Sequence, residues 1–285
     1  PNTGSRAPFF IVLILLLVIT GVQFFFNFRG LSSDAAMDQA QIARNVARGE
    51  GLTTHRIRPI QLIAASSKSG LTPLLSDAQL REQENILVEA AVFKLAGIHN
   101  YELWKMTGDS MIYLPDRIVA AVSAIFFILS VLSCYYVLRR MFDTTIAGFT
   151  CLTMIFSNLF LQYATSGLPQ MLMLFFFTWG VHFLYTALVN DQENRKFLWP
   201  IVFSAICFSC VCLTGWIGLW PMAGFLLFVG IRFKPHGLYC LPVLLILLLI
   251  LAYHVNINKT PSGRIYGPPF YNISTGLLRS ESTAN

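Results

Sequence analysis

Charged residues are scarce in this chain, and that scarcity decides its class. Only 12% of the 285 residues are charged, whereas 55% are hydrophobic and 14% are aromatic. One soluble core cannot bury so much apolar surface, and the mean hydropathy of +0.61 is typical of an integral membrane protein. Because lipid cannot satisfy free backbone groups, the spans are predicted to be helices and the fold class all-α.

Several catalytic signatures are missing as well. The sequence contains no Gly-rich nucleotide loop, no HExxH or GxSxG motif and no zinc-ligand spacing, so we predict no metal site. Cys207, Cys210 and Cys212 are interpreted as small packing residues of a helix. No Asp, Glu, Lys or Arg lies in the interior of the apolar runs, which argues against an ion pump or a proton-coupled transporter. His182, inside one run, is interpreted as a hydrogen-bonded packing residue rather than a proton relay.

About seven apolar runs approach the roughly 20 residues that a helix needs to cross a bilayer. They predict a polytopic membrane protein, with spans at residues 8–28, 117–138, 146–164, 170–189, 197–214, 217–231 and 237–256. The domain organisation follows as a first transmembrane helix (1–28), a loop domain (29–116), a transmembrane bundle (117–256) and a C-terminal tail (257–285). The first run is too long for a signal peptide, and we expect it to be retained.

The short loops predict the orientation. Their basic residues all fall on one side, which is predicted to be cytoplasmic: Arg6, Arg139, Arg140, Arg195, Lys196, Arg232 and Lys234. The loop domain and the tail are therefore expected to be exoplasmic. We expect a location in a bacterial inner (cytoplasmic) membrane, with the large loop periplasmic. The excess of basic residues in the cytoplasmic loops accounts for much of the net charge of +6, so we expect no nucleic-acid partner.

The loop domain holds most of the charge and is where a function is expected. Between Phe28 and Arg117 lie 20 of the chain's 34 charged residues. Ser32 and Ser33 precede, and Gly49 ends, a predicted helix of about fifteen residues. A second helix is predicted from about residue 81 to 96, with its acidic residues, Glu89 among them, on the polar face. Both are expected to be amphipathic juxtamembrane helices.

Two carboxylates and three arginines are the candidate site residues. Asp34 and Asp38 are four residues apart, so they project from one face of the first loop helix. Acids at a helix start also interact favourably with the helix dipole, and that structural role stays open. Arg56 and Arg58 suit phosphate binding, although contact with lipid headgroups explains them equally well. Arg117, at the start of the second span, is the third candidate cation.

The order of several motifs resembles the GT-C superfamily of membrane glycosyltransferases, which includes protein O-mannosyltransferases and lipid A aminoarabinose transferases. The similarity covers about the N-terminal half of a typical member. Five segments carry it: the acidic helix of 34–49, Lys-Leu-Ala-Gly at 94–97, Leu-Pro-Asp-Arg at 114–117, Pro-Gln-Met at 169–171 and Leu-Thr-Gly at 213–215. The pattern departs from the family at Ala35, where Glu is frequent, at Gln170, where Asp is common, and at Gly215, where Lys is usual.

The resemblance implies inverting transfer of a sugar from a polyprenyl-phosphate donor to an exoplasmic acceptor. It implies Asp34 as the base, with Asp38 second, and Arg56, Arg58 or Arg117 at the phosphate. Some relatives use a divalent metal, and the sequence leaves the cofactor unknown. The expected partners are the lipid-linked sugar donor, membrane lipids and further membrane subunits. The departures from the family pattern leave a second hypothesis, a non-catalytic, glycosyltransferase-like subunit that scaffolds a larger membrane complex.

Overall fold

The computed structural model describes residues 7–49, 83–97, 113–193, 195–214 and 218–233. Every regular element within these ranges is helical, which confirms the all-α prediction for the part of the chain described. In chain order the elements are α1 (Ala7–Val22, extended by a π-helical turn Gln23–Asn27), α2 (Asp34–Arg48), α3 (Gln83–Leu95), α4 (Leu114–Met141), α5 (Thr144–Phe156), α6 (Asn158–Ala164), α7 (Gln170–Gln192), α8 (Leu198–Thr214) and α9 (Leu219–Arg232).

Within the described ranges, three helices are long and apolar enough to cross a membrane: α1 with its π-helical turn, α4 and α7. The helices α5 and α6 make a fourth if together they form one span, but they are bent by 68° where they meet. The segment 146–164, predicted as a span, thus consists of two helices, because Ser157 adopts an extended conformation between them. The helices α8 and α9 are apolar but shorter. The predicted run 237–256 and the tail lie outside the described residues.

The first loop helix forms where the sequence predicts it. The Ser33 hydroxyl accepts a hydrogen bond from the Ala36 amide at 3.1 Å, which caps the N-terminus of α2. Gly49 ends the helix with a φ of +84°, a left-handed conformation that glycine adopts without a Cβ clash. The small side chains of Ala36, Ala40 and Ala43 are fully buried, so α2 lies close against its neighbours.

Among the residues that the structure describes, buried apolar side chains form three clusters. The first joins α2 and α3 to the start of α4, around Phe93, Ile86 and Ile42. The second packs α1 against α4, α5 and α6, and the third joins α7, α8 and α9. Side-chain hydrogen bonds cross between helices of the bundle, from Ser130 of α4 to the Met171 carbonyl at 3.2 Å and from Ser204 of α8 to the Gly180 carbonyl at 2.8 Å.

His182 packs among aromatic rings in the bundle. Its ring centroid lies 5.2 Å from that of Tyr136 and 5.4 Å from that of Trp179. Its Nδ1 atom has no hydrogen-bond partner within the described ranges. The side chain is thus buried by ring contacts, as a packing residue is, but the expected hydrogen bond at this nitrogen is absent from that part of the chain.

The two ends of the bundle differ in chemistry. The helix α4 runs from the loop helices to Arg140, whose guanidinium donates to the Thr186 hydroxyl of α7 at 3.1 Å. At the same end Arg232 of α9 pairs with Asp191 of α7 at 3.0 Å. With 28 residues at 1.5 Å each, α4 is about 42 Å long. The loop helices and the basic end are therefore separated by about the thickness of a bilayer.

Candidate functional site

Polar side chains meet where α2 and α3 rest on the turn between α6 and α7. The Asn85 Nδ2 amide on α3 donates to Glu89 Oε1 at 2.7 Å, to the Gly167 carbonyl at 3.3 Å and to Gln39 Oε1 at 3.4 Å. Asn85 is 3% exposed and Gln39 is 5% exposed. One amide group therefore ties α3 both to α2 and to the turn at the end of the bundle.

Glu89 lies beside Asn85 and is sealed from solvent, with 1% of its surface exposed. Burial raises the pKa of this carboxyl well above its usual value, while the hydrogen bond from Asn85 and the positive charge of Arg44 act in the opposite direction. Its second oxygen, Oε2, has no hydrogen-bond partner among the residues that the structure describes. The buried environment therefore favours the neutral, protonated form of Glu89.

Arg44 brings a positive charge to the same junction. Its NH1 atom lies 3.7 Å from Asp116 Oδ1 at the start of α4, and its guanidinium carbon lies 5.3 Å from the centroid of the Tyr113 ring. Burial lowers the pKa of Arg44, and nearby Tyr113 and Asp116 partly offset that effect. Because a guanidinium stays protonated in proteins, the junction holds a fixed cation within a mostly desolvated region.

The residues predicted as the site are not all enclosed. Asp34 is exposed in the first turn of α2, whereas Asp38, one turn later, is only 7% exposed. Arg117 is exposed in the first turn of α4. Arg56 and Arg58 lie outside the described residues. Of the three predicted residues that the structure describes, Asp38 is thus the one that is buried.

Sequence reasoning missed Asn85, Glu89 and Arg44. The placement of Glu89 on the polar face of α3 is wrong, since it is buried while Leu87 and Leu95 are 53% and 88% exposed. Asn85 and Glu89 are four residues apart, so they share one helix face with Ile86 and Phe93 nearby. This spacing, which places a polar pair next to the apolar residues of α3, was the sequence signal that could have predicted the buried polar junction.

The sequence does not decide whether the site binds a divalent metal, but the side chains at the junction can be compared with the ligands that such a metal needs. Within the described ranges, no group of three or more His, Cys, Asp or Glu side chains is arranged to hold a metal ion. The acids that interact with Arg44 are Asp116, which pairs with that cation, and Glu89, whose burial favours the neutral form. The described junction therefore does not fit a metal.

Comparison with known proteins leaves the function to be argued from these residues. No family model, no curated protein and no solved structure matches this chain.

Proposed function

We propose that this chain is a GT-C-like membrane glycosyltransferase that moves a sugar from a polyprenyl-phosphate donor to an exoplasmic acceptor. The observation that carries the proposal is the burial of Asp38, which is 7% exposed on α2 and directly precedes Gln39 of the buried polar junction. Burying a charged group is costly unless it is paired, and groups held at such a cost are concentrated at functional sites. The motif order from residue 34 to 215 supports the same assignment.

The proposed topology puts this junction at the exoplasmic surface. Seven spans, of which the last lies outside the described residues, leave the loop domain on the side opposite the basic end of the bundle. Arg140 and Arg232 at that end would then face the cytoplasm, in agreement with the positive-inside rule. The α2 helix would lie at the depth where a prenyl chain enters lipid and its phosphate meets water.

Asp38 is the proposed general base, ahead of Asp34. The acceptor hydroxyl transfers its proton to the Asp38 carboxylate while its oxygen attacks the anomeric carbon of the sugar. The bond between that carbon and the phosphate oxygen breaks with its electron pair, and polyprenyl phosphate departs. The sugar configuration is inverted. Asp38 is preferred because it is 7% exposed, whereas Asp34 is exposed to bulk water, from which the reacting groups would not be shielded.

A cation is needed to neutralise the departing phosphate. Arg56, Arg58 and Arg117 are proposed from the sequence, and Arg44 joins them because the structure holds it 3.7 Å from Asp116 at the junction. A guanidinium suits phosphate oxygens because its N–H groups form two parallel hydrogen bonds. No step of the proposed reaction passes through a metal ion.

The test compares Asp38→Asn with Asp34→Asn in purified protein reconstituted into vesicles with polyprenyl-phosphate sugars. Removing a general base costs typically about 10²- to 10⁴-fold in turnover, so we expect that loss for Asp38→Asn and less than about tenfold for Asp34→Asn. The two residues lie one turn apart on the same helix, so Asp34→Asn is the matched control. Unchanged turnover in both variants would remove these carboxylates from the mechanism.

A second function is favoured by one observation, the exposure of Asp34 and Arg117. We propose as the alternative a non-catalytic, glycosyltransferase-like subunit that packs against partner membrane subunits. In that role the buried junction would hold the loop helices on the bundle, and the exposed residues would meet another chain. Purification in mild detergent distinguishes the two: stoichiometric co-elution of a membrane protein, together with no transfer activity, favours the subunit.

A further inference from the structure

The Asn85 amide occupies a position that no catalytic assignment uses. It is 3% exposed, and its hydrogen bonds reach three separate parts of the fold: Glu89 on its own helix, Gln39 on α2 and the carbonyl of Gly167 in the turn between α6 and α7. Gln39 directly follows Asp38 in the sequence. A movement of the Asn85 side chain would therefore be passed to the backbone that carries the proposed base.

The turn on which Asn85 rests has little freedom to move. Gly167 has a φ of +72°, and a Cβ added there would lie 2.5 Å from Val119 Cγ1 and 3.0 Å from Leu31 Cδ2. The Ser166 hydroxyl accepts a hydrogen bond from the Leu168 amide at 3.1 Å, which tightens the same turn. The Gly167 carbonyl is thus a fixed hydrogen-bond acceptor at the end of the bundle. Through Asn85, this acceptor sets the position of α2 and α3 relative to the bundle.

We propose that Asn85 is a positioning residue, which holds the α2 carboxylate in register with the membrane bundle, and that Glu89 supports it as a neutral hydrogen-bond acceptor rather than as a reacting acid. This inference rests on the proposed glycosyl transfer and adds a residue to it. Asn85 acts through Gln39 and the turn, without itself contacting the substrate.

The neutral form of Glu89 is consistent with its surroundings. The groups that face it are Asn85 on α3 and Arg44 on α2, and Arg44 is itself paired with Asp116 of α4. Burial is the largest effect on this carboxyl and raises its pKa. A neutral carboxyl still accepts the Asn85 hydrogen bond through its carbonyl oxygen, so the tie to α2 and the turn does not require a negative charge.

The first arm of the test compares Asn85→Leu with Asn27→Leu. Asn27 also donates a side-chain amide hydrogen bond, to Gln23 at 2.9 Å, but at an exposed position on the π-helical turn. We expect Asn85→Leu to raise hydrogen–deuterium exchange in α2 and in the 165–168 turn, and to lower kcat by about tenfold to a hundredfold with KM for the donor unchanged. Asn27→Leu should change neither exchange in α2 nor kcat.

The second arm uses Glu89→Gln, which keeps a neutral acceptor of the same size and guards against misfolding of Asn85→Leu. We expect this variant to retain the wild-type kcat near neutral pH. A large loss of kcat at neutral pH in Glu89→Gln would assign the ionised carboxylate a direct role and overturn the inference.

The outcomes separate this inference from the function on which it rests. If the wild type transfers no sugar, the proposed function fails and the positioning role fails with it. If the wild type is active but Asn85→Leu leaves exchange in α2 or kcat unchanged, only the positioning role is overturned. Faster exchange in α2 together with a lower kcat and an unchanged KM supports both.

Discussion

Gly167 offers the sharpest test of how the loop helices sit on the bundle. Replacing it with alanine forces a left-handed conformation on a residue with a Cβ, since its φ is +72°, and that costs about 1–2 kcal/mol. The new Cβ also lies 2.5 Å from Val119 Cγ1 and 3.0 Å from Leu31 Cδ2, and overpacking of this kind costs about 1–3 kcal/mol. Adding the two, we expect Gly167→Ala to lower the free energy of unfolding by about 2–5 kcal/mol.

Substitutions at two other glycines distinguish the cost of the backbone conformation from the cost of overpacking. Gly49 has a φ of +84° but nothing within 4 Å of an added Cβ, so Gly49→Ala carries only the backbone cost of about 1–2 kcal/mol. Gly224 lies inside α9 with open space around it and no positive φ. Gly224→Ala should be neutral or stabilise the helix by up to about 1 kcal/mol.

The measurement is the melting temperature of each purified variant in detergent, followed by intrinsic tryptophan fluorescence. A change of 1 kcal/mol shifts the melting temperature by roughly 2–4 °C in chains of about this size, so Gly167→Ala should melt roughly 4–20 °C below the wild type. The expected order of melting temperatures is Gly224→Ala highest, Gly49→Ala next and Gly167→Ala lowest. Equal melting of Gly167→Ala and Gly49→Ala would refute the close approach of the turn to Val119 and Leu31.

Three further changes test the packing and the electrostatics. The pKa of Glu89 in the folded state is raised above its unfolded value of about 4.5, so its stabilising contribution is complete below pH 4.5 and is lost as the pH rises through the folded-state pKa. Glu89→Gln should therefore flatten the decline of melting temperature with rising pH. A decline as large as that of the wild type would contradict the burial of the acid. Phe93 is fully buried, so Phe93→Ala should cost about 3–5 kcal/mol by denaturant titration, whereas the control Leu95→Ala, at a residue 88% exposed, should stay within about 0.5 kcal/mol. Ser204→Ala removes a hydrogen bond to Gly180 between α8 and α7 and should lower the free energy of unfolding by about 0.6 kcal/mol. The control is Ser209→Ala, which removes a hydrogen bond within α8. Equal losses of stability in the two variants would show that the hydrogen bond between helices contributes nothing.

The sequence by itself determined the all-α class of the described part of the chain and much of its helix pattern. Runs of apolar residues near bilayer length leave the backbone one way to satisfy its hydrogen bonds, so α4 and α7 could be located within a few residues. The bounds of α2 were also predictable, because Ser33 caps its start and the left-handed Gly49 ends it. These signals are local, and they depend on residues close together in the chain.

Only the tertiary structure decided which polar residues are enclosed. Glu89 has the helix pattern of a surface acid, yet it is 1% exposed. Its hydrogen-bond donor Asn85 also bonds to Gln39 and to the Gly167 carbonyl, which are 46 and 82 residues from Asn85 in the sequence. Asp38 is buried and Asp34 is exposed, although the two share a helix face. The burial of a helix face depends on which segment packs against it. Segments distant in the chain make that contact, so the periodicity of one helix does not predict it.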